Sequence, residues 1–160
     1  MEFENSFSVA APLEQVWTYL LDVKAVAPCV PGAELTEIVS DTEFKGAVKI
    51  KLGAVQVNYR GTVVLKEVDN EAHRVVIVAT GSETRGTGSA SGTVTSTAVQ
   101  DGQRTTVRML SEIVVTGRVA QFGRNIMQDV SSKLIKDFAA CVEAHLKKPD
   151  VEQPAVADVS

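Results

Sequence analysis

The sequence predicts an α+β domain in which a curved antiparallel sheet of about seven strands wraps around one long helix near the C-terminus. Apolar residues recur at helical spacing from Ile126 to Leu146. Roughly seventy residues before them alternate Val, Thr, Gly and Ile with almost no helical periodicity. Short turn signals such as Asp101-Gly102 separate the strands, and hairpins of this length make neighbouring strands antiparallel.

The N-terminal elements are a strand and two short helices. Residues 2–10 alternate apolar with polar or small side chains and predict the strand. Pro12 suits the first helical position because its missing N–H would be unpaired there, and Glu14 then lies where the helix dipole favours an anion. This first helix has an apolar face made of Leu13, Val16, Trp17, Leu20 and Leu21. A second short helix extends through Val26, and the prolines and glycine of residues 28–32 end it.

The remaining strands are predicted at residues 33–39, 44–52, 55–65, 74–85, 87–99 and 105–116. Glycines within or beside these strands permit sharp bending of the sheet. One helix cannot cover such a sheet tightly along its whole length, so we expect a cavity between them. Two prolines and scattered acidic residues predict a disordered tail at 148–160, which leaves residues 1–147 as the single domain.

Composition narrows the function. Aromatic residues make up 5% of a chain that is 44% hydrophobic, so the interior has few large rings to fill it. A net charge of −4, without Lys/Arg runs longer than two residues, argues against nucleic-acid binding. The absence of a signal-peptide pattern and of a bilayer-length apolar stretch predicts a cytoplasmic protein. In that setting Cys29 and Cys141 are expected to be free thiols.

A search for catalytic or metal-ligating residues predicts a protein that is not an enzyme and holds no metal. His73 and His145 are interpreted as surface residues, and no Cys/His spacing fits a zinc site. Arg60 and Glu112 are expected to face solvent as a cross-strand pair. Tyr59 falls on an inward-facing set, where it either packs in the core or offers its hydroxyl to a ligand.

Several segments resemble a known family. Ala-Pro-Leu-Glu-Gln-Val-Trp at 11–17 resembles the opening of many START-like, Bet v 1-like (SRPBCC) proteins. Pro-Cys-Val-Pro-Gly-Ala-Glu at 28–34 and Gly-Arg-Val-Ala-Gln-Phe-Gly at 117–123 resemble the CoxG family, named for the G subunit of carbon monoxide dehydrogenase, and Tyr-Arg-Gly at 59–61 also fits. The resemblance covers about residues 1–147 and implies the helix-grip fold.

The resemblance also implies a function. Members of this family are accessory proteins of aerobic molybdenum-containing CO dehydrogenase. We therefore expect a non-catalytic protein without a covalent cofactor that binds a respiratory quinone, such as menaquinone, in its cavity. It would link the enzyme to the membrane electron-transport chain through peripheral contact with the inner face of the membrane. The alternative is an adaptor or assembly factor that recruits the dehydrogenase to the membrane without carrying a ligand.

The inward-facing residues supply the predicted site. Trp17 is open to two interpretations, core packing or a place at the cavity mouth. The expected cavity lining is Trp17, Leu20, Val48, Ile50, Val57, Tyr59, Val63, Met109, Ser111, Ile113, Phe122, Met127, Val130 and Leu134. A gate is predicted where breaker residues flank the cavity, at Pro31, Gly32, Phe122 and Gly123.

Overall fold

The computed structural model describes the backbone of residues 1–157 and the side chains of residues 1–146. Within these residues the strands are β1 (Glu2–Val9), β2 (Ala33–Ile38), β3 (Glu43–Leu52), β4 (Val55–Asp69), β5 (Arg74–Glu83), β6 (Ser89–Asp101) and β7 (Arg104–Val115). The helices are α1 (Leu13–Leu21), α2 (Val23–Val26) and α3 (Arg124–Ala157), with 3₁₀ turns at Ala27–Cys29 and Arg118–Gln121. The predicted α+β helix-grip architecture is confirmed.

The strands form one sheet in the order β1-β7-β6-β5-β4-β3-β2, and every neighbouring pair is antiparallel. The two edge strands, β1 and β2, are joined in sequence by the α1–α2 segment, which therefore links the two edges of the sheet. Across its middle, Gly46 lies opposite Gly61, and Gly61 lies opposite Gly81. A Cβ on Gly61 would lie 1.8 Å from the Thr80 carbonyl oxygen, so the backbones approach as closely as only glycine allows.

Helix α3 packs along the sheet and divides the core into two clusters. Near its start, Met127 and Val130 pack against a cluster built around Leu52, Val57, Tyr59 and Val119. Towards its end, Val142 and Leu146 join a second cluster with residues of β1, α1 and α2. Phe138 meets Phe7 edge-on in this second cluster, with ring centroids 5.8 Å apart. The predicted helical stripe therefore faces the sheet along its length, and the space between the clusters remains for a cavity.

Two sequence-based expectations are wrong. Cys29 and Cys141 are not free thiols but form a disulfide, with Cα atoms 5.3 Å apart. They are separated by 112 positions and meet because the turn Ala27–Cys29 packs against α3, which sequence spacing does not reveal. Arg60 and Glu112 are both exposed but do not pair, because β4 and β7 are not neighbours in the sheet.

Element boundaries differ from the predicted ones by a few residues. β4 continues to Asp69 rather than ending at 65, and α3 begins at Arg124. The predicted tail, residues 148–160, falls where the side chains lie outside the described part of the chain, so the division at residue 147 stays a prediction. In the part of the chain that the structure describes, no helix combines the length and apolar character needed to cross a bilayer.

Candidate functional site

An apolar cavity lies between the concave face of the sheet and α3. Among the described residues it has two lobes, which we name after their aromatic wall residues. The tyrosine lobe, of about 410 Å³, is lined by Tyr59, and the tryptophan lobe, of about 490 Å³, is lined by Trp17. The lobes adjoin, because both walls contain Gly46, Val48, Val63, Val94, Leu134 and Ile135.

The cavity walls are almost entirely apolar, and the sheet register explains why. Alternate residues of a strand point to the same face, so Val48 and Ile50 of β3 share one wall. Leu134 and Ile135 of α3 form the opposite wall of both lobes. Such a surface attracts a long hydrocarbon guest, because burial of apolar area is worth about 25 cal/mol per Å².

Most of the predicted lining residues lie on these walls. The tyrosine lobe contains Val48, Ile50, Tyr59, Val63, Ile113, Met127, Val130 and Leu134. The tryptophan lobe contains Trp17, Leu20, Val48, Val63, Met109 and Leu134. The structure places Val57, Ser111 and Phe122 behind these walls: Val57 and Ser111 are buried, and Phe122 packs on the cluster of Leu52 and Val119. Whether the wall residues bind a ligand stays a prediction.

The predicted gate residues belong to two places. Pro31 lines the tryptophan lobe, and Gly32 next to it has a φ of 78° that favours glycine. A Cβ at Gly32 would lie 2.3 Å from the Lys49 carbonyl oxygen, so this turn fits closely against β3. Phe122 and Gly123 lie at the start of α3, beside the tyrosine lobe. The structure therefore puts the two gate segments at different lobes.

Tyr59 lines the tyrosine lobe, and its buried hydroxyl has no partner among the described residues. Tyr59 is 6% exposed, and its hydroxyl makes no hydrogen bond within residues 1–146. Burial raises the pKa of Tyr59; the Glu83 carboxylate raises it further, and the Arg118 guanidinium opposes this. The side chain is thus a neutral hydroxyl at physiological pH, with a proton that it can donate to a ligand oxygen.

An ion pair between a buried carboxylate and a largely exposed arginine lies at the end of the tyrosine lobe. Glu83 ends β5 and lies opposite Tyr59 in the β4–β5 register. Its side chain is 3% exposed, and its Oε1 accepts a hydrogen bond from Nη2 of Arg118 at 2.9 Å. A Cβ on Gly88 would lie 2.4 Å from Glu83 Oε2, so a glycine is needed where the loop passes this carboxylate. The pair fixes the turn Arg118–Gln121, whose Val119 lines the lobe.

Sequence reasoning missed Glu83 and gave Arg118 no role beyond the family segment. The available signal was an acidic residue just before a glycine-rich loop, Gly86-Thr87-Gly88. Of the two histidines expected at the surface, His145 is exposed and His73 is not. His73 has a side chain only 16% exposed, contacts Glu14 at 2.5 Å and meets Trp17 edge-on. His145 is exposed but lies beside the disulfide.

The described residues include one group with metal-ligand chemistry, Cys29, Cys141 and His145, whose ligand atoms lie within 4.8 Å of one another. Zinc and related ions bind the thiolate form of cysteine. Because the two sulfurs are joined in a disulfide, they cannot act as thiolate ligands, and the group does not fit a metal site in this state.

Comparisons with known structures agree with the fold. A conserved protein from Geobacillus kaustophilus has a TM-score of 0.82 at 20% identity, covering 92% of this chain and 96% of its own. Zhui aromatase/cyclase from Streptomyces sp. R1128 has a TM-score of 0.62 at 16% identity, covering 92% and 94%. Truncated norcoclaurine synthase from Thalictrum flavum has a TM-score of 0.61 at 16% identity, covering 91% and 92%. At these identities, the likeness concerns the fold alone.

Sequence comparison identifies the family. Among curated proteins, none matches this chain. The model of the CoxG family, described as the G subunit of carbon monoxide dehydrogenase, matches residues 6–147. This match spans most of the chain and includes both segments that line or adjoin the cavity, 28–34 and 117–123. The chain therefore belongs to the carbon monoxide dehydrogenase CoxG family.

Proposed function

We propose that this protein is a non-catalytic accessory protein of a molybdenum-containing CO dehydrogenase that carries a respiratory quinone such as menaquinone. It would take the quinone from the inner face of the membrane and connect the dehydrogenase to the electron-transport chain. Family membership supports the choice of enzyme partner. The observation that carries the ligand proposal is the apolar cavity lined by Tyr59, whose hydroxyl has no partner among residues 1–146.

A quinone matches both chemical features of the cavity. Its carbonyl oxygens are hydrogen-bond acceptors, and the neutral Tyr59 hydroxyl is a donor in need of one. Its isoprenoid tail is apolar, and beyond the shared residues Val63 and Leu134 the tryptophan lobe has a predominantly apolar wall. The ring is therefore placed in the tyrosine lobe and the tail in the tryptophan lobe. Cavities of this kind bind ligands through many apolar contacts and a few well-placed polar ones.

The direct test is the lipid content of the protein. The full chain is purified without detergent from a menaquinone-containing host, extracted with organic solvent and analysed by mass spectrometry. We expect a molar ratio of quinone to protein that approaches one, because burial of the apolar tail makes release into water slow. Protein that is consistently empty, and that takes up no quinone from vesicles doped with menaquinone, would overturn the carrier proposal.

The adaptor alternative rests on the family match alone, since that match concerns the partner enzyme and identifies no ligand. A variant with a filled cavity separates the two functions. Ala79 lines the tyrosine lobe, so Ala79→Phe occupies the space of the ligand. If the protein is a carrier, Ala79→Phe should abolish quinone binding and quinone-linked CO oxidation but leave binding to the dehydrogenase intact. An adaptor retains its function. Ala54→Phe, in the exposed β3–β4 turn, is the matched control.

A further inference from the structure

The disulfide joins two parts of the tryptophan lobe wall. Cys29 ends the turn Ala27–Cys29, and the neighbouring residues Ala27 and Val30 line the lobe. Cys141 lies on α3, one turn beyond Phe138, which lines the same lobe from the opposite side. The bond therefore holds a wall segment, residues 23–32, against the long helix.

The wall segment is anchored by weaker contacts elsewhere. At its start, the Asp22 side chain accepts a hydrogen bond from the Ala25 amide at 3.2 Å. At its end, the Gly32 carbonyl accepts one from the Lys49 amide at 3.0 Å. The covalent attachment lies between these two anchors. Between them, the Tyr19 hydroxyl donates a hydrogen bond to the Ala25 carbonyl at 3.2 Å, and Val26 packs in the core. Loss of the disulfide would remove the covalent attachment of the segment to α3 and leave these non-covalent contacts to hold it.

The surroundings of the disulfide favour exchange with thiols. Nδ1 of His145 lies 3.7 Å from the sulfur of Cys29 and 3.7 Å from that of Cys141. A neighbouring imidazolium stabilises a thiolate, the form of cysteine that attacks or leaves in disulfide exchange. The Tyr19 ring stacks on His145 with centroids 5.9 Å apart and so fixes the imidazole in this position. Cys29 is 3% exposed, whereas Cys141 is half-buried, so a reagent reaches Cys141 first.

We propose that Cys29 and Cys141 form a reversible thiol–disulfide exchange site that controls access to the tryptophan lobe. The oxidised form holds the wall segment closed on α3, and the reduced form releases it. The reactant is a dithiol, either a small molecule or a thioredoxin-class protein. The control of ligand traffic rests on the proposed carrier function, whereas the exchange and the movement of the segment do not.

The exchange conserves atoms and electrons. A thiolate of the dithiol attacks the Cys141 sulfur, a mixed disulfide forms, and the bond to Cys29 breaks with Cys29 leaving as a thiolate. The second thiolate of the reagent then attacks the reagent sulfur that is bonded to Cys141, which forms the cyclic disulfide and releases Cys141 as a thiolate. The protein disulfide gains two electrons and, after uptake from water, two protons. The dithiol becomes a cyclic disulfide, and the reverse reaction uses that oxidised form.

The test compares the oxidised full chain with the chain reduced by dithiothreitol. Hydrogen–deuterium exchange is measured over residues 23–32, and Nile red release from the loaded protein into excess lipid vesicles is followed by fluorescence. On reduction we expect about tenfold faster amide exchange in this segment, because local opening becomes easier, and release faster by a similar factor. The double variant Cys29→Ser/Cys141→Ser should behave like the reduced protein and should not respond to dithiothreitol.

Each outcome decides a separate question. Unchanged amide exchange on reduction, or an equal response of the double variant to dithiothreitol, would overturn the exchange-site proposal. A reduced protein with a mobile segment but unchanged dye release would overturn control of access. Failure of the protein to bind Nile red and menaquinone in either state would count against the carrier function, and amide exchange alone would then decide the exchange site.

Discussion

At the scale of single residues, Tyr59 carries a cost in the empty protein. A buried hydroxyl without a partner loses its hydrogen bonds to water, a penalty of about 1–3 kcal/mol. Tyr59 has 6% of its surface exposed, and no partner lies within the part of the chain that the structure describes. Under the proposed carrier function, a ligand with an acceptor oxygen in reach of the hydroxyl would remove this penalty, so Tyr59 would favour a quinone over a plain hydrocarbon of the same length.

The first prediction concerns this hydroxyl. Tyr59→Phe should weaken binding of menaquinone by about three- to tenfold, the equivalent of one neutral hydrogen bond. It should leave binding of a long-chain alkane probe nearly unchanged and should stabilise the empty protein by about 1–3 kcal/mol, because the unpaired buried hydroxyl is removed. Titration of the protein with each ligand measures the difference. Tyr19→Phe is the matched control, because the Tyr19 hydroxyl already has the Ala25 carbonyl as a partner. Equal losses in both variants would contradict the assignment.

The second prediction concerns pH. Burial raises the pKa of both tyrosines, Tyr19 and Tyr59, above the ordinary value of 10.0. Above about pH 10 the native state keeps protons that the unfolded chain has released, so the free energy of unfolding falls as pH rises towards the native pKa values. Urea unfolding at pH 9 and at about pH 11 measures this fall. It should be smaller in Tyr19→Phe/Tyr59→Phe, and an equal fall in that variant would contradict the interpretation.

At the scale of elements, the ends of the strands determine the shape of the cavity. The turn Arg118–Gln121 reaches over the tyrosine lobe because Arg118 pairs with the carboxylate of Glu83 at the end of β5. The Arg118 side chain is 58% exposed and that of Glu83 is 3% exposed. Loss of the ion pair would therefore cost the glutamate more than the arginine. Water solvates the arginine without its partner, but the buried carboxylate has no such alternative.

The third prediction follows from this inequality. Arg118→Gln should lower the free energy of unfolding by about 1–3 kcal/mol, because Glu83 is left buried without a cation. Glu83→Gln combined with Arg118→Gln should restore part of the loss. Urea denaturation of the two variants and of Arg60→Gln, an exposed arginine on β4, provides the comparison. A single variant as stable as the wild type would show that the pair does not hold the turn.

The fourth prediction concerns the close approach of strands in the middle of the sheet. Gly61→Ala should destabilise the protein by about 1–3 kcal/mol, because the new Cβ meets the Thr80 backbone. Gly92→Ala is the control: its Cβ would lie 3.5 Å from the nearest atom, an ordinary contact. Thermal unfolding of both variants measures the difference. If the two substitutions have equal effects, the close approach at Gly61 is not a constraint on the sheet.

Much of the fold was predictable because it depends on local patterns. Alternation identified the inward faces of the strands, including Val48 and Ile50, and helical spacing identified the side of α3 that faces the sheet. The Cys29–Cys141 and Glu83–Arg118 pairs were missed, since their partners are 112 and 35 positions apart and share no local pattern. The alternation of side chains along a strand also predicts which face of the sheet a residue lies on, but not whether its side chain reaches the cavity surface. Val57 faces inward yet is not among the residues of the cavity wall, because it is fully buried in the cluster with Leu52 and Val119.

At the scale of the whole molecule, the two lobes form one elongated internal cavity, whose shape limits which ligands fit. The lobes adjoin through shared wall residues such as Val63 and Leu134, so the proposed quinone would extend through both. Under the proposed function, docking to the dehydrogenase would use the outer surface and need not involve this space. The two proposed activities, carrying a quinone and binding an enzyme, are therefore separable by mutation.

The fifth prediction tests this separation quantitatively. Ala79→Phe should reduce menaquinone content at least tenfold, since the added ring occupies the tyrosine lobe. Its affinity for the dehydrogenase should remain within about twofold of wild type. Extraction with mass spectrometry and surface-immobilised binding assays give the two numbers, with Ala54→Phe as reference. Loss of both properties in a folded Ala79→Phe protein would show that enzyme binding requires a loaded cavity.

The disulfide gives the chain an unusual covalent topology. Bonding of Cys29 to Cys141 closes a ring that contains β2 to β7, while β1 and α1 form an arm outside it. A protease that cuts one hairpin between these cysteines therefore opens the ring without releasing a fragment. The nicked protein should migrate as a single species on a non-reducing gel and as two on a reducing gel.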